Sequence, residues 1–235
     1  MDRFLKWLDN YWYHYKWVTI ICVFLAAVLV IGVVQMAGAE ENDVGIVYFG
    51  PSVLSADQTY EMELAFEQVM SKDYDGDGKR NALLISMTYM TDEQYEEKMK
   101  QAEEDEVYFA YDKSARNETI RQLNTLISTG ETVICLIDES MYQTLNEQGC
   151  FESLQEVLGY TPSYAADDYS VRLGDTEFGE YYTAFDCVDP ETRLCICKIS
   201  QNTYFMNEKA IQQSYDRNKK MFCDIFALDS TEDVR

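Results

Sequence analysis

Histidine is almost missing from this chain. His14 is the only one in 235 residues, so nothing beyond it can use an imidazole. That excludes a Ser-His-Asp triad, a Cys-His pair, a histidine general base and a histidine-liganded zinc site from residues 41–235. A G-x-S-x-G elbow, a P-loop and a G-x-G-x-x-G run are absent as well. Basic charge is scarce, with 19 Lys and Arg against 42 Asp and Glu. Residues 1–40 balance, since Arg3, Lys6 and Lys16 offset Asp2, Asp9 and Glu40, and the rest therefore carries the whole net charge of −23. Such a surface repels nucleic acid and anionic lipid, which need Lys and Arg to neutralise phosphate, so nucleic acid is excluded as a partner. Two carboxylates could still act as an acid–base pair, but spacing selects none among so many acids. The densest run, Glu103-Glu104-Asp105-Glu106, reads as a solvated face, and a non-enzyme is expected.

What is present begins with one long apolar run. Val18 to Ala39 holds no charged residue and a single Gln. About 20 apolar residues cross a hydrocarbon core as a helix, and this run is long enough. All three tryptophans, Trp7, Trp12 and Trp17, precede it, interleaved with Tyr11, Tyr13 and Tyr15. Indole and phenol rings favour the headgroup layer, so residues 1–17 read as a cytoplasmic, interfacial aromatic segment. The basic residues near the span lie on its N-terminal side, while the other side opens with EEND and has no Lys or Arg until Lys72. The positive-inside rule then places residues 18–39 across the cell membrane, the N-terminus in the cytoplasm and the acidic bulk outside. Ala37-Gly38-Ala39 offers a competing reading, cleavage of a signal peptide, although a signal h-region is usually about 7–15 residues.

Residues 40–43 form a polar linker, and 44–235 are expected as one α/β domain. Val44–Phe49 reads as a buried strand ended by Gly50-Pro51. Ser55 and Gln58 make a capping box ahead of a helix whose apolar face is Met62, Ala65, Phe66, Val69 and Met70. Ala82–Met90 is a second strand, and Thr91 with Gln94 caps an acidic helix reaching about Glu104. A helix over Ser114–Thr129 stops at Gly130, Thr132–Asp138 is the third strand, and Ser140–Gln148 is a short helix. After a looser stretch, Gly159–Tyr169, a hairpin is expected from Glu180–Val188 and Arg193–Ile199, then an amphipathic helix over Asn207–Ala227. The order strand–helix–strand–helix–helix–strand–helix predicts a three-layer α/β fold. Its largely parallel sheet would be flanked by helices and followed by a C-terminal antiparallel hairpin.

Six cysteines follow the span, and six allow fifteen disulfide pairings. Cys195 and Cys197 share a face in a strand and sit too far apart for a comfortable mutual bond. Cys187, across the turn at Asp189–Thr192, is the better partner for Cys195.

Between the first helix and the second strand lies DYDGDGKRN, residues 73–81. Counted against a calcium-binding EF-hand loop, Asp73, Asp75 and Asp77 stand at positions 1, 3 and 5, Gly78 at 6, the Lys79 carbonyl at 7 and Asn81 at 9. Position 12 is Leu84 instead of a bidentate Glu, and a strand follows where a hand needs a helix, so an EF-hand sensor is excluded. A simpler calcium site, completed by water or a distant carboxylate, stands beside the alternative of an acidic turn with its charges in water.

The stretch LISTGETVICLIDESMYQTLNEQGCFESLQEVLG, Leu126–Gly159, resembles the extracellular solute-binding proteins of ABC transporters. The likeness lies in the helix ending at Gly130, the buried strand Val133–Asp138 with its terminal acid, the helix Ser140–Gln148, and the Gly149–Leu154 segment. It covers about 35 residues strictly and extends loosely to Ile199. It implies one lobe of that fold, without the second lobe or the lipoprotein cysteine usual there. Ligands in such sheets bind at the carboxyl ends of parallel strands, here Phe49–Ser52, Met90–Asp92 and Asp138–Ser140. Asp138 and Ser140 are the candidate ligand-binding residues, with a helix N-cap as the other role for Asp138. The expected function is a membrane-anchored outer module that binds a small molecule or a protein. The rivals are a structural subunit of a membrane complex and a carboxylate-dependent hydrolase.

Overall fold

The computed structural model describes residues 2–37, 42–130, 132–199 and 208–228. It contains two compact units, residues 1–41 and 42–235. The described residues of the first form one helix, α1 (Asp2–Ala37). Its stretch Tyr11–Gly32 is long and apolar enough to cross a membrane, a test that a signal sequence also passes. Residues 38 and 39 of the expected span lie outside the described residues.

The second unit is built on β1 (Val44–Gly50), whose seven residues are all buried. A strand buried along its whole length must be covered on both faces, which explains why its sequence is apolar without alternation. After it comes α2 (Ala56–Val69), where Ser55 and Gln58 form the expected capping box and Met62, Ala65 and Phe66 are buried. Next is β2 (Ala82–Thr88), parallel to β1 with Val44 opposite Ala82. It lies at the sheet edge. Two glutamates of α2 cover the start of that edge, Glu67 accepting from Ala82 N at 3.3 Å and Glu63 from Leu84 N at 2.9 Å. Capping exposed strand N–H groups in this way blocks pairing with another chain.

Thr91 and Gln94 make the second capping box, opening α3 (Asp92–Glu104), which buries none of its residues. A 3-10 turn, Lys113–Ala115, leads into α4 (Arg116–Thr129), which ends at Gly130 with φ +70°. Then follow β3 (Ile134–Ile137), parallel to β1 on the side away from β2, α5 (Glu139–Glu147) and α6 (Leu154–Leu158). From β1 to α5 the order of elements is the one the sequence predicts.

The expected hairpin is corrected. Its first arm, Glu180–Val188, is helical: α7 (Glu177–Tyr181) precedes a 3-10 turn at Thr183–Phe185. The antiparallel partner lies earlier, in β4 (Ser170–Arg172), which pairs with β5 (Arg193–Ile196). Since β5 also pairs antiparallel to β3, the sheet order is β2-β1-β3-β5-β4. The aromatic residues of 178–185 favour strands by propensity, but Phe178, Tyr182 and Phe185 recur at helical spacing. Their rings close on one another, Phe178 to Phe185 at 4.7 Å, and on Phe66 of α2 at 5.1 Å from Phe178. Tertiary packing overrides local preference here.

The last element, α8 (Glu208–Leu228), buries Ile211, Tyr215, Asn218, Phe222, Ile225 and Phe226 along one stripe. Asn218 belongs in that stripe because its Oδ1 accepts from Gly45 N at 3.1 Å, tying the helix to the start of β1. The proposed Cys187–Cys195 bridge is also corrected. All seven cysteines are free, Cys187 Sγ faces the Ala184 carbonyl at 3.3 Å, and Cys195 Sγ faces that of Cys135 at 3.7 Å.

Candidate functional site

Residues 73–81 form a loop of nested turns. Each aspartate bends back on the chain to accept a backbone N–H two residues on, which is how Asx turns arise. Asp73 Oδ1 accepts from Asp75 N at 3.1 Å and Gly76 N at 2.6 Å, and its Oδ2 from Gly78 N at 2.7 Å. Asp75 Oδ1 accepts from Asp77 N at 2.9 Å, and Asp77 Oδ1 from Lys79 N at 2.7 Å. The path requires positive φ at Gly76 (+87°) and Gly78 (+92°), a conformation that side-chain-bearing residues rarely adopt.

Asp43 closes the loop from below. It is 2% exposed, and its carboxylate accepts from Tyr74 N and Asp75 N, both at 2.9 Å, and from Asn81 N at 3.2 Å. Asp43, Asp73 and Asp75 each place a carboxylate oxygen within 4.8 Å of the other two, a group that could hold a metal ion. Asp77 stands outside that group, Lys79 contributes its backbone N–H to Asp77, and Asn81 meets Asp43 through its backbone. The carboxylate that reaches the loop from a distance is Asp43, assigned from sequence to a polar linker. Only its position immediately before an apolar strand hinted at burial.

The electrostatics are those of crowded like charges. The N–H groups of Gly76 and Gly78 hold the Asp73 carboxyl below its ordinary value. At Asp75 the bond from Asp77 N pulls the same way, but desolvation and the neighbouring carboxylates of Asp43 and Asp77 prevail and raise it. Arg217 brings a positive charge near, its Nη1 4.0 Å from Asp75 Oδ2. A second tether from α8 is Asp224, which accepts from Ser71 N at 2.7 Å and from the Tyr74 hydroxyl. A carboxylate offers about four lone-pair sites, so three N–H bonds still leave Asp43 and Asp73 capacity for a hard cation.

The carboxyl ends of the parallel strands are arranged differently. Asp138 is 7% exposed and caps α5, its Oδ1 accepting from Ser140 N at 3.0 Å and Ser140 Oγ at 2.5 Å. Its Oδ2 accepts from Gln94 Nε2 at 2.8 Å, joining the starts of α3 and α5. The structure brings Asp138 and Ser140 together, as a helix cap. Phe49 stacks on Tyr89 with ring centroids 4.8 Å apart, filling the gap between the ends of β1 and β2. Beside Asp138, Glu139 pairs with Arg193 of β5, whose side chain is 9% exposed. Desolvation alone would raise Glu139, but the Arg193 guanidinium and the Gln143 amide outweigh it and hold its carboxyl below the ordinary value. An open groove of about 280 Å³ adjoins the end of β1, lined by Pro51, Val53, Lys98, Val107 and Tyr108 among others.

Comparison of the chain with protein-family models, with curated proteins and with solved structures gives no match.

Proposed function

We propose that the chain is a single-pass membrane protein whose domain of residues 42–235 faces out of the cell and works as a non-catalytic binding or interaction module. Calcium bound by Asp43, Asp73 and Asp75 holds its acidic loop in shape. The observation that carries this reading is the buried Asp43 carboxylate brought within 4.8 Å of two loop carboxylates. Oxygen-only, anionic donor sets suit hard divalent cations, and extracellular calcium modules work with dissociation constants of about 0.1–1 mM. A cation there relieves the repulsion from Asp43 and Asp77 that adds to desolvation in raising Asp75. The apolar helix supplies the anchor, and the scarcity of Lys and Arg after it supports the outward orientation. Asp138, committed to capping α5 and to Gln94, supports a scaffolding role over a catalytic one at the strand ends.

The test uses the full chain in detergent micelles. Its melting temperature should rise by several degrees in millimolar calcium and by less in equal magnesium, which dehydrates reluctantly and demands near-octahedral geometry. Protease added to intact cells or spheroplasts should reach the domain. Equal or absent responses to the two ions would remove calcium from the proposal, and a protected domain would remove the outward orientation.

A further inference from the structure

Three thiols meet in the middle of the sheet. Pairing sets Cys135 of β3 directly opposite Cys195 of β5, and Cys197 follows two residues later on the same face. All three are at most 1% exposed. Their sulfurs are not equivalent. Cys195 Sγ points at the Cys135 carbonyl oxygen, 3.7 Å away, whereas Cys135 and Cys197 meet sulfur to sulfur at 3.4 Å. Of the other cysteines of the domain, Cys150 lies close enough to act electrostatically on both, while Cys187 Sγ turns to the Ala184 carbonyl and Cys223 Sγ to that of Val157.

We propose that Cys135 and Cys197 are the disulfide-forming pair of this protein, joined in an oxidising compartment and left as thiols in a reducing one. The proposal rests on the outward-facing reading for its oxidant, a protein or small-molecule disulfide. One cysteine thiolate displaces a thiolate from that disulfide to give a mixed disulfide. The second cysteine thiolate then attacks the protein sulfur, forming the Cys135–Cys197 bond and releasing the other half of the oxidant. Two protons and two electrons leave the pair, and the oxidant's disulfide becomes two thiols. Closure asks the sulfurs to approach by about 1.4 Å, to the ~2.05 Å of a disulfide. Diagonal neighbours on antiparallel strands have Cα atoms about 7–8 Å apart, at or just beyond the limit for bridging, so the backbone must move to draw the strands together. A bond made under that constraint is more easily reduced than a relaxed one.

Timing follows from the surroundings. The contact with Cys195 for Cys135, the contact with Cys135 for Cys197, and burial together hold both thiols well above the ordinary value. In the folded sheet they are buried and protonated, so the mixed disulfide forms before β5 docks on β3, and docking then brings the second sulfur up to close the bond.

The experiment starts from that state. The full chain is unfolded in guanidinium, refolded into detergent micelles with a reduced and oxidised glutathione mixture, alkylated, digested and mapped by mass spectrometry. The expected product is one linked peptide pair carrying Cys135 and Cys197, with the other five of the seven cysteines alkylated. The Cys195→Ala variant should give the same link. A refolded chain that keeps every thiol, or that links a different pair, overturns the proposal. A parallel sample, alkylated in intact cells before lysis, separates the two readings. A pair that bridges on refolding but is found alkylated in cells upholds the proposal and counts against the outward-facing domain.

Discussion

Asp43 is the residue whose removal separates a structural hydrogen-bond hub from a metal ligand. Replacing it with alanine strands three backbone donors, those of Tyr74, Asp75 and Asn81. Each such bond contributes about 1 kcal/mol net, and the loop is open enough for water to reach part of what is lost. Asp43→Ala should therefore cost about 3 kcal/mol without calcium, a fall of about 6–12 °C in melting temperature for a domain of this size. Asp43→Asn is the finer probe. Its amide oxygen can keep the two bonds that Oδ1 makes, but its NH2 faces the Asn81 donor, so a loss of about 1 kcal/mol is expected. The calcium responses then diverge. At tenfold its dissociation constant calcium adds about 1.4 kcal/mol to the wild type, about 3–6 °C. The Asp43→Asn variant should lose most of that shift, because a neutral amide replaces one of three anionic ligands. Melting curves of the full chain in detergent, with calcium and with a chelator, read both effects. An undiminished calcium shift in Asp43→Asn would refute the ligand assignment. An Asp43→Ala loss below about 0.5 kcal/mol would refute the reasoning from hydrogen bonds.

Three further outcomes follow from other parts of the fold. Asp138→Ala removes the acceptor for Ser140 N and for the Gln94 amide and should cost about 1–2 kcal/mol in urea unfolding, with Asp138→Asn recovering much of it; a neutral effect would reject the cap. Gly179→Ala sets a Cβ against the Leu173 carbonyl oxygen, a backbone atom that cannot swing away, so a loss of about 3 kcal/mol or failure to fold is expected, and a melting temperature within 2 °C or so of wild type would contradict the packing of α7. Glu139 has a lowered carboxyl value, so its stabilisation is present above the unfolded-state value and lost as pH falls through the folded one. Glu139→Gln should accordingly be less stable than wild type at pH 7, by under about 1 kcal/mol because the group is 43% exposed, and the gap should close as acid protonates the folded carboxyl; a difference independent of pH would show that the ion pair with Arg193 is not its cause.

Much of the architecture was legible residue by residue. Both capping boxes, at Ser55 and at Thr91, formed as read, because a cap is decided within four residues of chain. The apolar runs of β1, β2 and β3 declared strands, and the order of elements implied parallel pairing. The hairpin failed at Glu180–Val188 because aromatic residues serve a strand or a short helix equally well, and Phe66 and Phe185 decided between them. β4 was missed because three residues carry no periodicity, and its pairing with β5 defines it.

By itself, the sequence determined the long apolar helix, the acidic surface without histidine and the aspartate loop with its two glycines. These depend on composition and on neighbours within a turn or two. Only the tertiary structure placed Asp43 under a loop 30 residues away, turned Asp138 toward Gln94, and set Cys135 against Cys197 across 62 residues. Such meetings depend on strand register and on the path of the crossovers. Local propensity does not encode either one, because the energy that selects them comes from burying the whole sheet at once.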